Sequence, residues 1–297
     1  MLSLFRVVSY GIKLTDEYLV AVQQALSGAG GFIVELENFD NGRFQATVHA
    51  VGYDGDLESG LLALRAAVRP VITRSIGTAV IPAELAGPKR KLLIMDVDST
   101  LIKQEVIELL AEHAGKRDEV AALTDAAMRG ELDFAESLHA RVGTLRDLPL
   151  EVIDRVHGAV ELTDGAAELV EAFLNAGHVV GVVSGGFSQI LDPLAAELRL
   201  NYWHANQLGT TEAALTGVVE GDVVDRAAKE ASLRAWAKAE HIDMAQTIAV
   251  GDGANDLDML AAAGLGVAFN AKPAVREAAD AAVNIPYLDV VRYFAGV

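Results

Sequence analysis

The alternation of apolar and polar positions divides the chain into two parts. Over residues 1–85 the pattern switches between a period of two and a period near 3.6. Residues 4–9 alternate as a strand does, and residues 15–26 have helical spacing with Thr15 or Asp16 placed to cap it. Residues 31–37 and 44–51 read as strands, and Asp40-Asn41-Gly42 between them is a hairpin signal. Residues 57–68 are helical and residues 71–79 form a last strand. The predicted order, β-α-β-β-α-β, is that of a small α+β ferredoxin-like domain. Residues 81–91 then carry two prolines, a glycine and the basic run Lys89-Arg90-Lys91, and read as a solvated connector.

The second part opens on Leu92-Leu93-Ile94-Met95, an unbroken apolar run that predicts a buried parallel strand. It leads directly into Asp96-Val97-Asp98-Ser99-Thr100. No strand pattern follows until about residue 160. Residues 105–114, 117–129, 133–142 and 150–157 predict amphipathic helices instead. A helical insertion at the end of a first strand is a candidate lid. From residue 163 strand and helix alternate again. One buried strand, 178–183, ends in Ser184-Gly185-Gly186; another, 247–250, ends in Gly251-Asp252-Gly253-Ala254-Asn255-Asp256. The expectation is an α/β, doubly wound Rossmann-like core with an α-helical cap. The expected domains are 1–85 and 86–297, with the cap at about 104–161.

Charge narrows the partners. Lys and Arg number 24 against 42 Asp and Glu, a formal charge of −18. Such a chain has no electrostatic case for tracking a nucleic acid or an anionic membrane surface. An anionic substrate would need local help from a metal ion or a few placed cations. The absence of cysteine excludes thiolate sites and a cysteine nucleophile. The first residues lack a basic segment followed by a sustained apolar run, so no signal peptide is expected and the cytoplasm is the expected compartment.

Three strand ends carry chemistry. The first offers Asp96 and Asp98, the second a hydroxyl and flexible backbone at Ser184 and Gly185, the third Asp252, Asn255 and Asp256. The helix that begins near Asp225 adds Lys229. Carboxylates at Asp96 and Asp252 suit Mg²⁺, which takes an oxygen shell. A serine hydroxyl, glycine N–H groups and a lysine suit phosphoryl oxygens. A metal-held carboxylate can attack phosphorus, and a second carboxylate two residues on can protonate the leaving alkoxide. Each piece alone is common: Ser-Gly-Gly is usually a turn, and a lone Lys on a helix is usually solvated. Their order on successive strand ends makes chance a poor explanation.

These four pieces resemble the four motifs of the haloacid dehalogenase superfamily of phosphatases. Over roughly residues 91–285 the chain is similar to the phosphoserine phosphatases within it. Met128-Arg129-Gly130-Glu131-Leu132-Asp133-Phe134, Arg141-Val142 and Ser184-Gly185-Gly186-Phe187 carry that narrower likeness. The resemblance implies Asp96 as nucleophile and Mg²⁺ ligand. It implies Asp98 as general acid/base and, through its carbonyl, a second ligand, with Asp252 as the third. Ser184, Gly185, Lys229 and Asn255 would hold phosphate, and Asp256 would orient Lys229 or a metal-bound water. Glu105 would accept the substrate ammonium, Arg141 its carboxylate, and Met128 and Phe134 would exclude water. The implied reaction is hydrolysis of O-phospho-L-serine, the last step of serine synthesis. Two alternatives stay open: the same chemistry, or phosphoryl transfer, on another small phosphomonoester, and an inactive serine-sensing regulatory protein. Residues 1–85 resemble the ACT regulatory domain in topology, which implies a homodimer through this domain. Tyr10-Gly11-Ile12 sits where such domains hold a ligand, although Gly11 alone would equally serve the turn.

Overall fold

The computed structural model describes residues 1–73, 75–128 and 133–297, without the side chains of 125–128. The first part contains β1 (Leu2–Gly11), α1 (Asp16–Gly28), β2 (Gly31–Asp40), β3 (Gln45–Asp54), α2 (Leu57–Val68) and β4 (Ile76–Pro82). The strands form an antiparallel sheet in the order β2-β3-β1-β4, the ferredoxin-like arrangement that the element order predicts. Local chemistry explains its boundaries. Thr15 caps α1 by accepting the Tyr18 N–H, and Asp56 caps α2 by accepting that of Ser59. In the hairpin, Asn41 Oδ1 accepts the N–H groups of Arg43 and Phe44.

The larger part contains β5 (Leu92–Met95), α3 (Val106–His113), α4 (Arg117–Met128), α5 (Phe134–Gly143), α6 (Glu151–Ala159), α7 (Ala166–Asn175), β6 (Val179–Phe187) and α8 (Ser188–Glu197). It continues with β7 (Tyr202–Thr210), β8 (Leu215–Glu220), α9 (Arg226–Ala239), β9 (Thr247–Gly251), α10 (Leu257–Ala262), β10 (Leu265–Phe269), α11 (Pro273–Ala278), β11 (Ala281–Val283) and α12 (Val291–Ala295). The sheet order is β11-β10-β9-β5-β6-β7-β8, parallel except for β8. The chain leaves β5 towards β6 and β7, then crosses back to β9 on the other side. The C-terminal end of β5 is therefore the switch point where such sheets open a crevice. Leu93 and Met95 pack on one face of the sheet, against α7 and α12, while Leu92 and Ile94 pack on the other, against α9 and α10. Burial on both faces is why the strand reads as a continuous apolar run.

The cap comprises α3 to α6. Its two connections run side by side as a short ribbon: Ile102 bridges Leu162, and the Lys103 N–H donates to the Glu161 carbonyl at 2.9 Å. Among the described residues, no helix is long and apolar enough to cross a membrane.

Three expectations need correction. The last strand of the first sheet runs Ile76–Pro82, not 71–79, because Pro70 ends α2 in a 3₁₀ turn at Arg69–Val71. The connector is not simply solvated. Ile81, Leu85 and Lys91 are buried, and the Lys91 ammonium donates to the carbonyls of Gly87 and Lys89 at 2.6 and 3.0 Å. In Tyr10-Gly11-Ile12 the Tyr10 side chain is not free for a ligand: it is buried and its hydroxyl donates to the Ala282 carbonyl on β11.

That bond belongs to an extensive junction. One face of the first sheet is covered by α1 and α2 through Phe5, Val7, Val22 and Leu64. The opposite face, through Val8, Tyr10, Ala46 and Ile81, joins the apolar core of the larger part. Arg43 reaches Asp289 at 2.7 Å and Glu168 at 3.0 Å, and Arg65 reaches Asp280 at 2.6 Å. β11 meets β4 and α12 meets β1, and α11 leads into this segment. α11, β11 and α12 are three to six residues long, too short for periodicity to reveal them.

Candidate active site

Asp96 follows the last residue of β5, and its N–H donates to the Val250 carbonyl of the neighbouring β9. The sheet ladder thus fixes its backbone. From Val97 to Leu101 the chain makes one wide turn, closed by the Ile102 N–H on the Val97 carbonyl at 3.0 Å. Ser99 holds this turn with φ at 58°, a left-handed conformation that costs a non-glycine residue about 1 kcal/mol. The turn redirects the chain into the cap and lifts Asp98 away from Asp96.

The two carboxylates consequently have different surroundings. One oxygen of Asp96 accepts from the Lys229 ammonium at 2.6 Å. Its other oxygen makes no hydrogen bond to a described residue, and the side chain lines a cavity of about 480 Å³. Asp98 accepts from the Val106 N–H at 2.8 Å, capping α3, and from the Ser184 hydroxyl at 2.9 Å. Burial, reinforced by Glu105, pushes the Asp98 carboxyl up to about 6, despite the opposing help of these donors and of Lys229.

Lys229 projects from the first turns of α9, which Asp225 caps. It is buried between Asp96 and Asp256, 2.7 Å from the latter. Burial alone would lower its affinity for a proton, but the two carboxylates more than reverse that, so it stays charged. The second oxygen of Asp256 accepts the N–H groups of Asp252 and Gly253 at 3.1 and 3.0 Å. Gly251 makes room for this: a Cβ there would lie 2.4 Å from the Asp256 carboxylate.

Asp96, Asp252 and Asp256 can each turn one oxygen into a group spanning less than 4.8 Å. Burial and neighbouring carboxylates raise Asp96 strongly and Asp252 to about 6. Three clustered acids and one lysine leave the site short of positive charge. Asp256 is already saturated by Lys229 and two N–H groups, which leaves Asp96 and Asp252 with oxygens to give. Such a hard, all-oxygen donor set fits a divalent cation. The Asp98 carboxylate lies outside this group, turned towards Ser184 and α3.

Above this floor, the cap contributes Glu105, Phe134 and Arg141 to the cavity wall. Glu105 accepts from the Ser99 hydroxyl at 2.6 Å, and Arg141 Nε donates to the Ser137 carbonyl at 3.2 Å. The Phe134 ring lies over Gly185; a Cβ on Gly185 would meet it at 3.1 Å. Gly185 and Asn255 also line the cavity. The Ser184 hydroxyl accepts the Gly186 N–H while donating to Asp98. The Met128 side chain, and residues 129–132 of the motif around it, lie outside the described residues.

Some contributors carry no assigned role in the sequence motifs. Asn206, buried on β7, donates to the Gly185 carbonyl and accepts the Val224 N–H, which fixes the glycine loop from behind. Thr100 donates to Asp252 at 3.4 Å. Glu108 and Lys272 line the cavity without belonging to any of the four motifs.

Residues 93–261 match the model of the haloacid dehalogenase-like hydrolase family. The phosphoserine phosphatase of Streptomyces coelicolor is 48% identical over 288 residues, covering 97% of this chain and 69% of that protein. The chain belongs to the phosphoserine phosphatase family of haloacid dehalogenase-like hydrolases. The likeness extends to solved structures. A probable phosphoserine phosphatase from Vibrio cholerae, in unliganded form, covers 98% of the chain at 34% identity with a TM-score of 0.76. A phosphoserine phosphatase solved as a phospho-aspartyl intermediate analogue covers 69% at 42% identity with a TM-score of 0.65. The first match includes the N-terminal sheet, so the whole two-sheet architecture recurs in this family.

The ion cluster makes a testable demand on stability. Lys229→Met leaves Asp96 and Asp256 buried without their cation, at an expected cost of about 3–5 kcal/mol. Burial already raises the Asp96 carboxyl, and loss of the lysine that opposes that shift raises its folded-state affinity for protons further. The variant should gain stability as pH falls from 8 to 5.5, relative to the unsubstituted protein. Urea unfolding of both proteins at the two pH values measures this; an equal pH response would contradict the charge account.

Proposed function

We propose that the chain hydrolyses O-phospho-L-serine to L-serine and inorganic phosphate through a phosphorylated Asp96. One observation carries the reading. The cavity above Asp96 and Asp98 has Glu105 and Arg141, opposite charges from the cap, in its wall. A zwitterionic phosphomonoester needs that pairing: Glu105 for the ammonium, and the planar, bidentate Arg141 for the carboxylate.

The free oxygen of Asp96 attacks phosphorus, forming a P–O bond as the bond to the serine oxygen breaks. Asp98 gives its proton to the departing alkoxide. Its carboxyl, held near 6 by burial and Glu105, is close enough to neutrality to give and then retake a proton. In the second step Asp98 takes a proton from water, the resulting hydroxide attacks phosphorus, and Asp96 is released with inorganic phosphate. Lys229 keeps Asp96 oriented and remains protonated throughout. Ser184, the Gly185 N–H and Asn255 hold the phosphoryl oxygens, while Phe134, with Met128, excludes water from the serine side. Mg²⁺ held by Asp96, Asp252 and the Asp98 carbonyl would supply positive charge against the phosphate. Asp256 serves by orienting Lys229.

For residues 1–85 we propose a pairing and regulatory role. The inner face of this sheet is already spent on the larger part, so a second copy must use what remains. β2 is a sheet edge, and Phe32, Val34 and Leu36 along it are 48%, 62% and 41% exposed. An apolar free edge invites an identical strand.

Three outcomes test these assignments. Asp96→Asn should lower Mg²⁺-dependent phosphate release from phosphoserine by at least about 10³-fold while thermal unfolding still shows a folded protein. Undiminished turnover would remove Asp96 from the chemistry. Arg141→Lys keeps the charge but loses the bidentate fork. It should raise KM for phosphoserine roughly tenfold and leave KM for a phosphomonoester without a carboxylate nearly unchanged. Equal effects on both substrates would deny Arg141 its carboxylate. By sedimentation, the protein should have twice the chain mass and Val34→Lys the mass of one chain; a protein already monomeric would exclude the β2 pairing.

A further inference from the structure

The charges that line the active-site cavity are badly matched. Asp96, Asp98, Glu105, Glu108 and Asp252 face two cations, Arg141 and Lys272. Lys229 lies beneath, fully buried, with both bonds going to carboxylates. Arg141 is half-buried in the cap, near Glu105 and Asp98. Lys272 alone among these cations is exposed, and it forms no ion pair among the described residues. It belongs to none of the four motifs.

Its backbone is fixed. Residues 270–272 follow the end of β10, the strand beside β9, so Lys272 comes from the same rim of the sheet as Asp252. Ala271 is buried in the core beneath the sheet. The Lys272 carbonyl accepts the N–H groups of Val275 and Arg276 at 3.0 and 3.1 Å, and Pro273 opens α11 directly after it. A rigid anchor therefore carries a flexible four-carbon stem that ends in a well-hydrated point charge. Such a group attracts an anion through water without binding it so firmly that the product is retained.

We propose that Lys272 steers the phosphate dianion of the substrate to the cavity. The chain carries a net charge of −18 and the rim of the cavity is acidic, so an approaching phosphomonoester meets repulsion before it meets the buried cation. Lys272 offsets that repulsion locally, on the side where Asp252 and Asn255 stand. It acts on approach and capture, not on the chemical step, and is a positioning residue. The proposal rests on the phosphomonoester reading above and adds to it a residue that governs access.

The test is steady-state kinetics of the full chain with Mg²⁺, on phosphoserine and on p-nitrophenyl phosphate, at low and high ionic strength. At about 20 mM salt, Lys272→Ala should lower kcat/KM roughly five- to thirtyfold through KM, with kcat within about twofold. At about 300 mM salt the difference should shrink to about twofold, because the field is screened. Lys272→Arg should restore the low-salt value, and Lys272→Glu should fall below alanine. A Lys272→Ala protein within about twofold of the unsubstituted chain at low salt overturns the proposal. So does a loss carried by kcat, or one that is equal at both salt concentrations. If p-nitrophenyl phosphate is hydrolysed and phosphoserine is not, the substrate assignment fails while the salt response on the former still decides the role of Lys272. A chain that hydrolyses neither overturns both.

Discussion

The structure depends on one buried ammonium. Lys229 lies between Asp96 and Asp256, at 2.6 and 2.7 Å, and all three side chains are buried. Without it, two carboxylates would stand in the interior without a cation, at a cost to stability of about 3–5 kcal/mol. Its position requires α9 to lie across β5 and β6 on one face of the sheet, and Asp256 to fold back onto Gly251. Its two ion pairs thus tie together three pieces of the chain, Asp96 lying 133 residues before Lys229 and Asp256 27 residues after it. They also leave the cluster short of positive charge, which is the physical case for a divalent cation beside Asp252.

The same region sets how the cap is attached. Asp98 is bonded to Ser184 of the core and to the first N–H of α3 in the cap. Its proton is thereby coupled to the cap's seating: a shift of α3 removes a donor from the carboxylate whose charge state the proposed chemistry uses. The ribbon formed by Ile102 and Leu162 holds both ends of the insertion side by side. On the proposed assignment, chemistry and substrate selection occupy different layers, joined by one carboxylate.

The N-terminal sheet is a structural partner of the core as well as a separate unit of sequence. Tyr10, Arg43 and Arg65 fasten it to β11, Asp289 and Asp280. Arg43 also touches Glu168 on α7, close to where the cap's return strand meets the core at Thr163.

The reading from sequence was strongest where the information is local. Periodicity located the cap helices to within a few residues, since an amphipathic face is written every three or four positions. The continuous apolar run at 92–95 marked the central strand because both of its faces are covered. Strand-end motifs fixed the chemical repertoire, since each is a handful of consecutive residues. Tertiary structure decided the rest. The identity of Asp96 says nothing of which oxygen Lys229 occupies, and Lys91 in a basic run gives no hint that its ammonium is buried. Asn206 behind the glycine loop and Lys272 on the cavity wall take their places only when distant strand ends converge. Packing of this kind joins residues with no common period, so its record lies in the folded chain.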